Sequence, residues 1–453
     1  MLYFETRDTA DAYLADGLSE DVTSLLGNLS GLQVQSPGMV RRAQRAAPGN
    51  APGISRALGV RYLVDGNVRR IGARVRVSAR LVNGATGVAV WSDLFDRTPD
   101  ELLALPSVIA REVAARVGGL GAGAETTLGR LPTRVPAAYD HFLRGNFFLA
   151  LRSRAGIGRA LAEYTEAERL DSGFAAAIGR AAYTYAVAQG NYADLPGVPV
   201  ESLATLGLIV ADRALWRDSG SSDAWMARGY LLAYARPGTL AGATEAFERA
   251  IALDSTNAEA HHQFAQILNW LGRADAAERE LRTALAIDPG RAISLSDLAA
   301  WTYVRDNALA LRVSDSAVLL DPASALFRRR RAVARLLAGD LPGALADAEL
   351  AARLVPGNGM MESVLAMVVA RTGDTTRARA LIPPAIGPFD QMFGAAALLA
   401  VGDTAAALDR MERAPPDPAV WAVLQRPWFD ALRGNPRFER LAAASRLQGA
   451  VGP

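Results

Sequence analysis

The 453-residue chain contains no lysine and no cysteine; all 49 of its basic side chains are arginine. Without lysine, the phosphate grips of P-loop NTPases and protein kinases, Schiff-base catalysis and pyridoxal phosphate attachment are excluded. Without cysteine there are no thiol nucleophiles, disulfides or cysteine-ligated zinc sites, and either redox compartment is compatible. Histidine is scarce, with three in the chain. His261 and His262 are neighbours and would point about 100° apart on a helix, a poor chelating geometry. Helical spacing puts His261 on a packing stripe and His262 on the opposite side. His141 has no serine or cysteine partner legible in the sequence, and neither HExxH nor G-x-S-x-G occurs. These absences leave no catalytic, cofactor-binding or metal-binding residue to nominate.

No stretch reaches the roughly 18 apolar residues of a membrane span. The start carries Glu5, Asp8 and Asp11 in place of a basic, then apolar, leader, so it does not read as a signal peptide. With a formal net charge of +2 the chain lacks a polyanion-binding signature, and no recognition helix for DNA is marked. Half the residues are hydrophobic, as in globular proteins, and the length implies more than one structural unit.

The first 117 residues read as a small α/β domain with a mixed sheet in the order β-α-β-α-β-β-β-α. Leu2, Tyr3 and Phe4 form an opening strand, and Tyr13, Leu14, Leu18, Val22 and Leu25 lie on one helical stripe. Leu32 and Val34 in "GLQVQS" alternate as a second strand. A helix stops at Gly59 before "VRYLVDGNV". In "ARVRVSARLV", Val75, Val77, Ala79 and Leu81 alternate with Arg74, Arg76, Ser78 and Arg80, and Asn83-Gly84 marks a hairpin. The arginine row reads as a solvated sheet face in preference to an anion-binding strip. A helix over about 99–117 closes the unit. The glycine-rich "VGGLGAGAE" follows a helix, not a strand, and so reads as a linker over 118–135 and not as a phosphate cradle.

From about Pro136 the strand signals vanish and a repeat takes over. A small residue, a larger one four later and a turn residue twelve after the first recur: Ala160, Tyr164, Ser172; Ala243, Phe247, Ser255; Ala277, Leu281, Pro289; Ala310, Ser314, Pro322; Ala344, Ala348, Pro356. The last four turn residues stand 34, 33 and 34 residues apart, the length of two antiparallel helices and two turns and the period of the tetratricopeptide repeat. Gly272, Gly339, Gly373 and Gly402 suit the turn inside each unit. About seven or eight units fit residues 136–415, the second with an inserted "GNYADLPGVPVES" and the last degraded; residues 416–453 read as capping helices and a tail.

The segments "YLADGLSEDV", "GLQV" and "RALGVRYLVDGNVRRIGARVRVSARLVNGATGVAVWSDLFDR" resemble the TolB-amino-terminal-like (FlgO-like) α/β domain, which precedes tetratricopeptide repeats in many bacterial signalling proteins. The resemblance implies kinship with the non-catalytic parts of repeat-containing adenylate cyclases and Ser/Thr kinases. In that family several apolar residues precede the "LYFE"-like segment, and such domains often follow a cyclase, kinase or winged-helix domain. The resemblance therefore implies that the first strand opens before Met1, within a longer protein; a truncated, frayed strand is the alternative.

If the repeats follow the geometry of their family, Trp225, Arg228, Glu259, His262, Gln266, Asn269 and Trp270 line a concave groove. That mixture of aromatic and polar groups suits a protein or peptide partner. A structural role for either tryptophan is equally compatible. Arg328, Arg329, Arg330 and Arg331 form the densest charge run, read as a solvated helix surface or as a patch for an acidic or phosphate-bearing partner. The functional expectation is a non-catalytic regulatory or scaffold protein in bacterial signal transduction, with no cofactor, no nucleic acid and no membrane span in this chain. The alternative is a small-ligand or anion sensor in the α/β domain that regulates an output domain. The expected compartment is the cytoplasm, or outside it if a membrane segment lies upstream.

Overall fold

The computed structural model describes residues 1–453 except 30, 119–123, 125–127, 130, 152, 191–194, 196–197, 236–239, 385–387, 415–422, 425 and 451–453. Parts of the glycine-rich linker, of the "GNYADLPGVPVES" insertion and of the C-terminal cap expected above thus lie outside the described residues. Among the described residues no helix is long and apolar enough to cross a membrane. The chain divides into two compact units. The first holds Met1–Ala235, Glu245–Ala260 and Asp288–Gly290, and the second Arg236–Thr244, His261–Ile287 and Arg291–Pro453.

The first unit begins with helices α1 (Ala12–Gly27), α2 (Pro37–Ala46) and α3 (Ala51–Leu58), followed by strands β1 (Tyr62–Ile71), β2 (Arg74–Asn83) and β3 (Ala89–Arg97). Gly59, at φ 64°, ends α3 in the left-handed conformation that glycine adopts without strain. The strands form an antiparallel sheet in the order β1-β2-β3. Val75, Val77, Ala79 and Leu81 are fully buried on one face of β2, as the alternation requires. A 3₁₀ turn over Pro99–Ala104 leads into α4 (Leu105–Val117).

One expectation for the sheet needs correction. The named strands form a three-stranded antiparallel sheet, and residues 31–36 form no strand. Leu32 and Val34 do pack against the core, but the Gln35 side chain donates to the Leu58 carbonyl at 3.0 Å and Pro37 opens a helix directly, so no ladder forms. The first residues do run parallel beside β1. Leu2 N–H donates to Val64 O at 2.8 Å, Glu5 N–H to Gly66 O at 3.0 Å and Val68 N–H to Glu5 O at 2.8 Å, but the pairing is registered as a single parallel bridge, Glu5 to Asn67.

Helix α5 (Pro136–Ala150) completes this core, with Tyr139 and Leu143 buried together with Leu14, Leu18 and Val22 of α1. Gly17 permits the approach: a Cβ there would stand 2.8 Å from Leu143 Cδ2. Tyr13 donates to Asp140 at 2.6 Å across the same contact.

From α5 onward the described elements are helices: α5 packs with α6 (Arg154–Leu170) and α7 (Ala175–Gly190) with α8 (Leu203–Arg217), then come α9 (Ser222–Ala235) and α10 (Leu240–Leu253), and α11 (Ala258–Trp270) with α12 (Ala274–Ile287). There follow α13 (Ala292–Thr302) with α14 (Asn307–Leu320), α15 (Ala325–Leu337) with α16 (Leu341–Leu354), α17 (Gly359–Arg371) with α18 (Thr375–Ala380), and α19 (Pro388–Ala400) with α20 (Thr404–Met411). A helix over Pro436–Ala450 (α21) is the last element among the described residues. The small repeat residues Ala160, Ala243, Ala277, Ala310 and Ala344 are all fully buried. Gly272, Gly339, Gly373 and Gly402 all take positive φ, between 73° and 96°. Behind three of them stands an aspartate, Asp340, Asp374 or Asp403, whose carboxylate caps the second helix by accepting from Gly343, Arg377 or Ala406 N–H at 2.9–3.1 Å.

Candidate functional site

The row of first helices is where the repeat pattern assigned recognition. In the first unit, Trp225 is half-buried near the start of α9 and its indole donates to Ser219 O at 2.9 Å. Arg228 stands over that ring, 5.9 Å from its centroid, and pairs with Asp212 of α8 at 2.9 Å. Glu259 accepts from the Tyr183 hydroxyl of α7 at 2.6 Å. Beside Tyr183, Arg180 lies 5.7 Å from its ring centroid and donates to Asn146 at 3.3 Å, while Tyr164 donates to the same Asn146 oxygen at 2.7 Å. The tyrosines and Arg180 carried no mark in the sequence, where the repeat pattern read Tyr164 as packing alone.

In the second unit, His261 sits on the packing stripe, buried, with Nδ1 2.6 Å from Glu280 of α12. His262 is buried as well, held by the next first helix: Nδ1 is 2.9 Å from Ser294 Oγ and Nε2 3.5 Å from Asp297. Gln266 donates to Asp297 at 2.6 Å, and Arg330 of α15 pairs with Asp297 at 2.5 Å while donating to Ser296 at 2.9 Å. Serine, histidine and aspartate thus meet, but Ser294 is fully buried and Asp297 already binds Gln266 and Arg330. That arrangement is a tie between helices, without the exposed nucleophile that acyl transfer needs. Asn269 and Trp270 are half-buried on the last turn of α11.

The arginine run divides. Arg328 and Arg331 of α15, together with Arg335, converge on buried Asp347 of α16 at 2.7–3.0 Å, and Arg331 also reaches Asp315 at 3.0 Å. Arg329 and Arg330 leave on the other side of α15. Arg329 lies 5.0 Å from the Phe393 ring centroid, its Nε has no hydrogen-bond partner among the described residues, and burial, then the neighbouring Arg330 charge, lowers its pKa to about 10. Charge neutralisation also governs the sheet face, where Arg74 and Arg76 pair with Asp96 and Arg80 with Asp65, the latter pair directly opposite in the register.

The chain's own C-terminal segment touches two first helices of the second unit, α13 and α19. Arg426 donates to the Ala300 carbonyl at the end of α13 and lies 6.0 Å from the Tyr303 ring centroid. Trp428 stands 6.2 Å from Phe393 of α19. Val423, Leu424, Phe429 and Leu432 are buried in one apolar cluster with Ala299, Tyr303 and Met392. Sequence reading assigned this stretch to the end of the array; its aromatic and arginine content was the available signal for an inner-face contact. Among the described residues no cluster of potential metal ligands occurs.

Comparison with known proteins places tetratricopeptide repeats in the chain: residues 235–301 match that family. A protein of Rhizobium meliloti (strain 1021) named "Putative adenylate cyclase 3" is 28% identical over 283 residues, 60% of this chain and 40% of that one. The chain therefore spans about two fifths of the length of that relative. Similar solved structures include a tetratricopeptide repeat protein from Parabacteroides merdae ATCC 43184, at 12% identity and TM-score 0.40 over 58% of this chain and 98% of that one. A thermophilic repeat protein of Thermus thermophilus follows at 20% and 0.37, over 44% of this chain and all of that one. YrrB, described as a repeat protein with an unusual peptide-binding site, gives 17% and 0.33 over 45% and 97%.

Proposed function

We propose that this chain is a non-catalytic regulatory or scaffold protein of bacterial signal transduction that binds a protein partner through its row of first helices. In this reading an α/β domain over 1–117 and a linker over 118–135 precede the repeat array of 136–415 and the cap of 416–453, in the cytoplasm. Likeness to a protein named as an adenylate cyclase supports a role beside a cyclase output. The observation that carries the reading is the seat of residues 423–432 on α13 and α19: this surface accepts a chain segment, with an arginine on a carbonyl and an aromatic pair in an apolar bed.

The test is a labelled peptide of residues 421–434 titrated against the full chain and against an Arg426→Ala, Trp428→Ala variant in which the internal copy is weakened. The expected result is binding at least about tenfold tighter to the variant, since the peptide no longer competes with a tethered copy. Equal, weak binding to both would remove peptide recognition from this surface. A second reading, ligand sensing in the N-terminal part, is favoured by a cavity beside Asp21.

A further inference from the structure

A cavity of about 570 Å³ opens within the first unit, between α1, the turn leading into α4, α5 and the end of α8. That volume suits a small molecule. Its walls carry Phe142, Leu25 and Leu103, with the hydroxyls of Ser24 and Ser107 among them. The Asp21 carboxylate also lines it, accepting from the Tyr139 hydroxyl.

Asp21, half-buried in the cavity wall, differs from the buried carboxylates. Asp11 has Arg70, Asp297 has Arg330, and Asp347 has three arginines. Asp21 has no ion-pair partner among the described residues, in a chain with 49 arginines. A half-buried carboxylate without a counter-charge is costly, and here it faces space large enough for one to enter. Arg217 also lines the cavity, but its guanidinium lies 4.5 Å from the Trp216 ring centroid and makes no ion pair with Asp21.

We propose that this cavity binds a small organic cation, with an ammonium group seated on Asp21 and an apolar body against Phe142 and Leu25. The inference rests on the ligand-sensing reading and gives that reading a ligand class. The charged and titratable groups around Asp21 are Glu20 on its own helix and the Tyr139 hydroxyl of α5, with Arg217 and Asp218 elsewhere in the cavity wall. Burial, aided by Glu20, holds the Asp21 carboxyl up to about 6. An aliphatic ammonium stays charged through neutrality, so binding strengthens as Asp21 loses its proton between pH 5 and pH 7.5, by about tenfold.

The experiment uses calorimetric titration of the full chain with phenethylamine, 2-phenylethanol and phenylacetate, which share a body and differ in charge. The expected result is preferential binding of the amine, weakened about ten- to hundredfold in Asp21→Asn at an unchanged melting profile or better. Ser107→Leu, which fills the cavity and leaves Asp21 in place, should abolish binding and decides the matter if the first variant folds poorly. Equal amine affinity in Asp21→Asn overturns the proposal. Preference for phenylacetate, lost in Ser107→Leu, overturns the cation assignment and leaves a ligand cavity standing. Binding of none of the three overturns the cavity as a site, and the sensing reading would then have to rest on another part of the α/β layer.

Discussion

Asp347 is a buried carboxylate and Asp21 a half-buried one, and their surroundings have opposite consequences. Asp347 collects Arg328, Arg331 and Arg335 as ion-pair partners, while Asp21 has the Tyr139 hydroxyl as its hydrogen-bond partner. Burial raises Asp21 from the ordinary 3.8 to about 6. A folded-state value above the unfolded one means that the folded chain holds this proton more tightly. The associated stability is complete below about pH 4 and is lost as pH rises through about 6. Asp21→Asn keeps an acceptor for Tyr139 but cannot ionise. Between pH 5 and pH 7.5 its stability relative to the parent should therefore grow by roughly 1.5 kcal/mol. Urea denaturation of both proteins at the two pH values checks this; a constant difference would mean that Asp21 is ionised throughout. Nothing in the sequence distinguished Asp21, one of 47 carboxylates, because its environment is assembled from α1, α4 and α5. The arginine run was visible, but its division between Asp347 and Phe393 depends on which neighbours the helix faces.

At the scale of the element, the repeat was legible because each helix pair solves the same local problem. A fully buried alanine at Ala160, Ala243, Ala277, Ala310 and Ala344 sets the spacing, and a positive-φ glycine turns the chain. The aspartates that follow three of the glycines add a satisfied N-terminus to α16, α18 and α20. Ala277→Leu should force α12 away from α11 and cost about 1–3 kcal/mol by overpacking, read as a lower urea midpoint at constant slope. Ala274→Leu, exposed on the same helix, should change stability by no more than about 0.5 kcal/mol. Equal effects from the two would mean that the register is misplaced. Leu32 and Val34 illustrate where pattern reading fails. Their alternation marks two half-buried side chains, but a strand needs a partner's backbone, and Gln35 and Pro37 commit the segment elsewhere.

At the scale of the whole molecule, repeat arrays are held by nearest neighbours, and their unfolding is cooperative only as far as those interfaces carry it. The second unit adds a tie of another kind. Arg426 reaches the Ala300 carbonyl across 126 positions of chain, and Val423, Leu424, Phe429 and Leu432 share one apolar cluster with residues of helices from α13 to α19. Such a tie links the early and late pairs of that unit, so its loss should cost cooperativity as well as stability. In the Arg426→Ala, Trp428→Ala variant, the urea transition followed by tryptophan fluorescence should broaden, with a smaller slope in addition to a lower midpoint. A lower midpoint at an unchanged slope would instead mean that the segment stabilises only the last pair, as a terminal cap does. The same variant exposes the surface tested with the peptide, so cooperativity and binding report on one contact by independent means. A broadened transition together with tighter peptide binding would identify residues 423–432 as the internal occupant of the first-helix row, one that a partner's segment must displace.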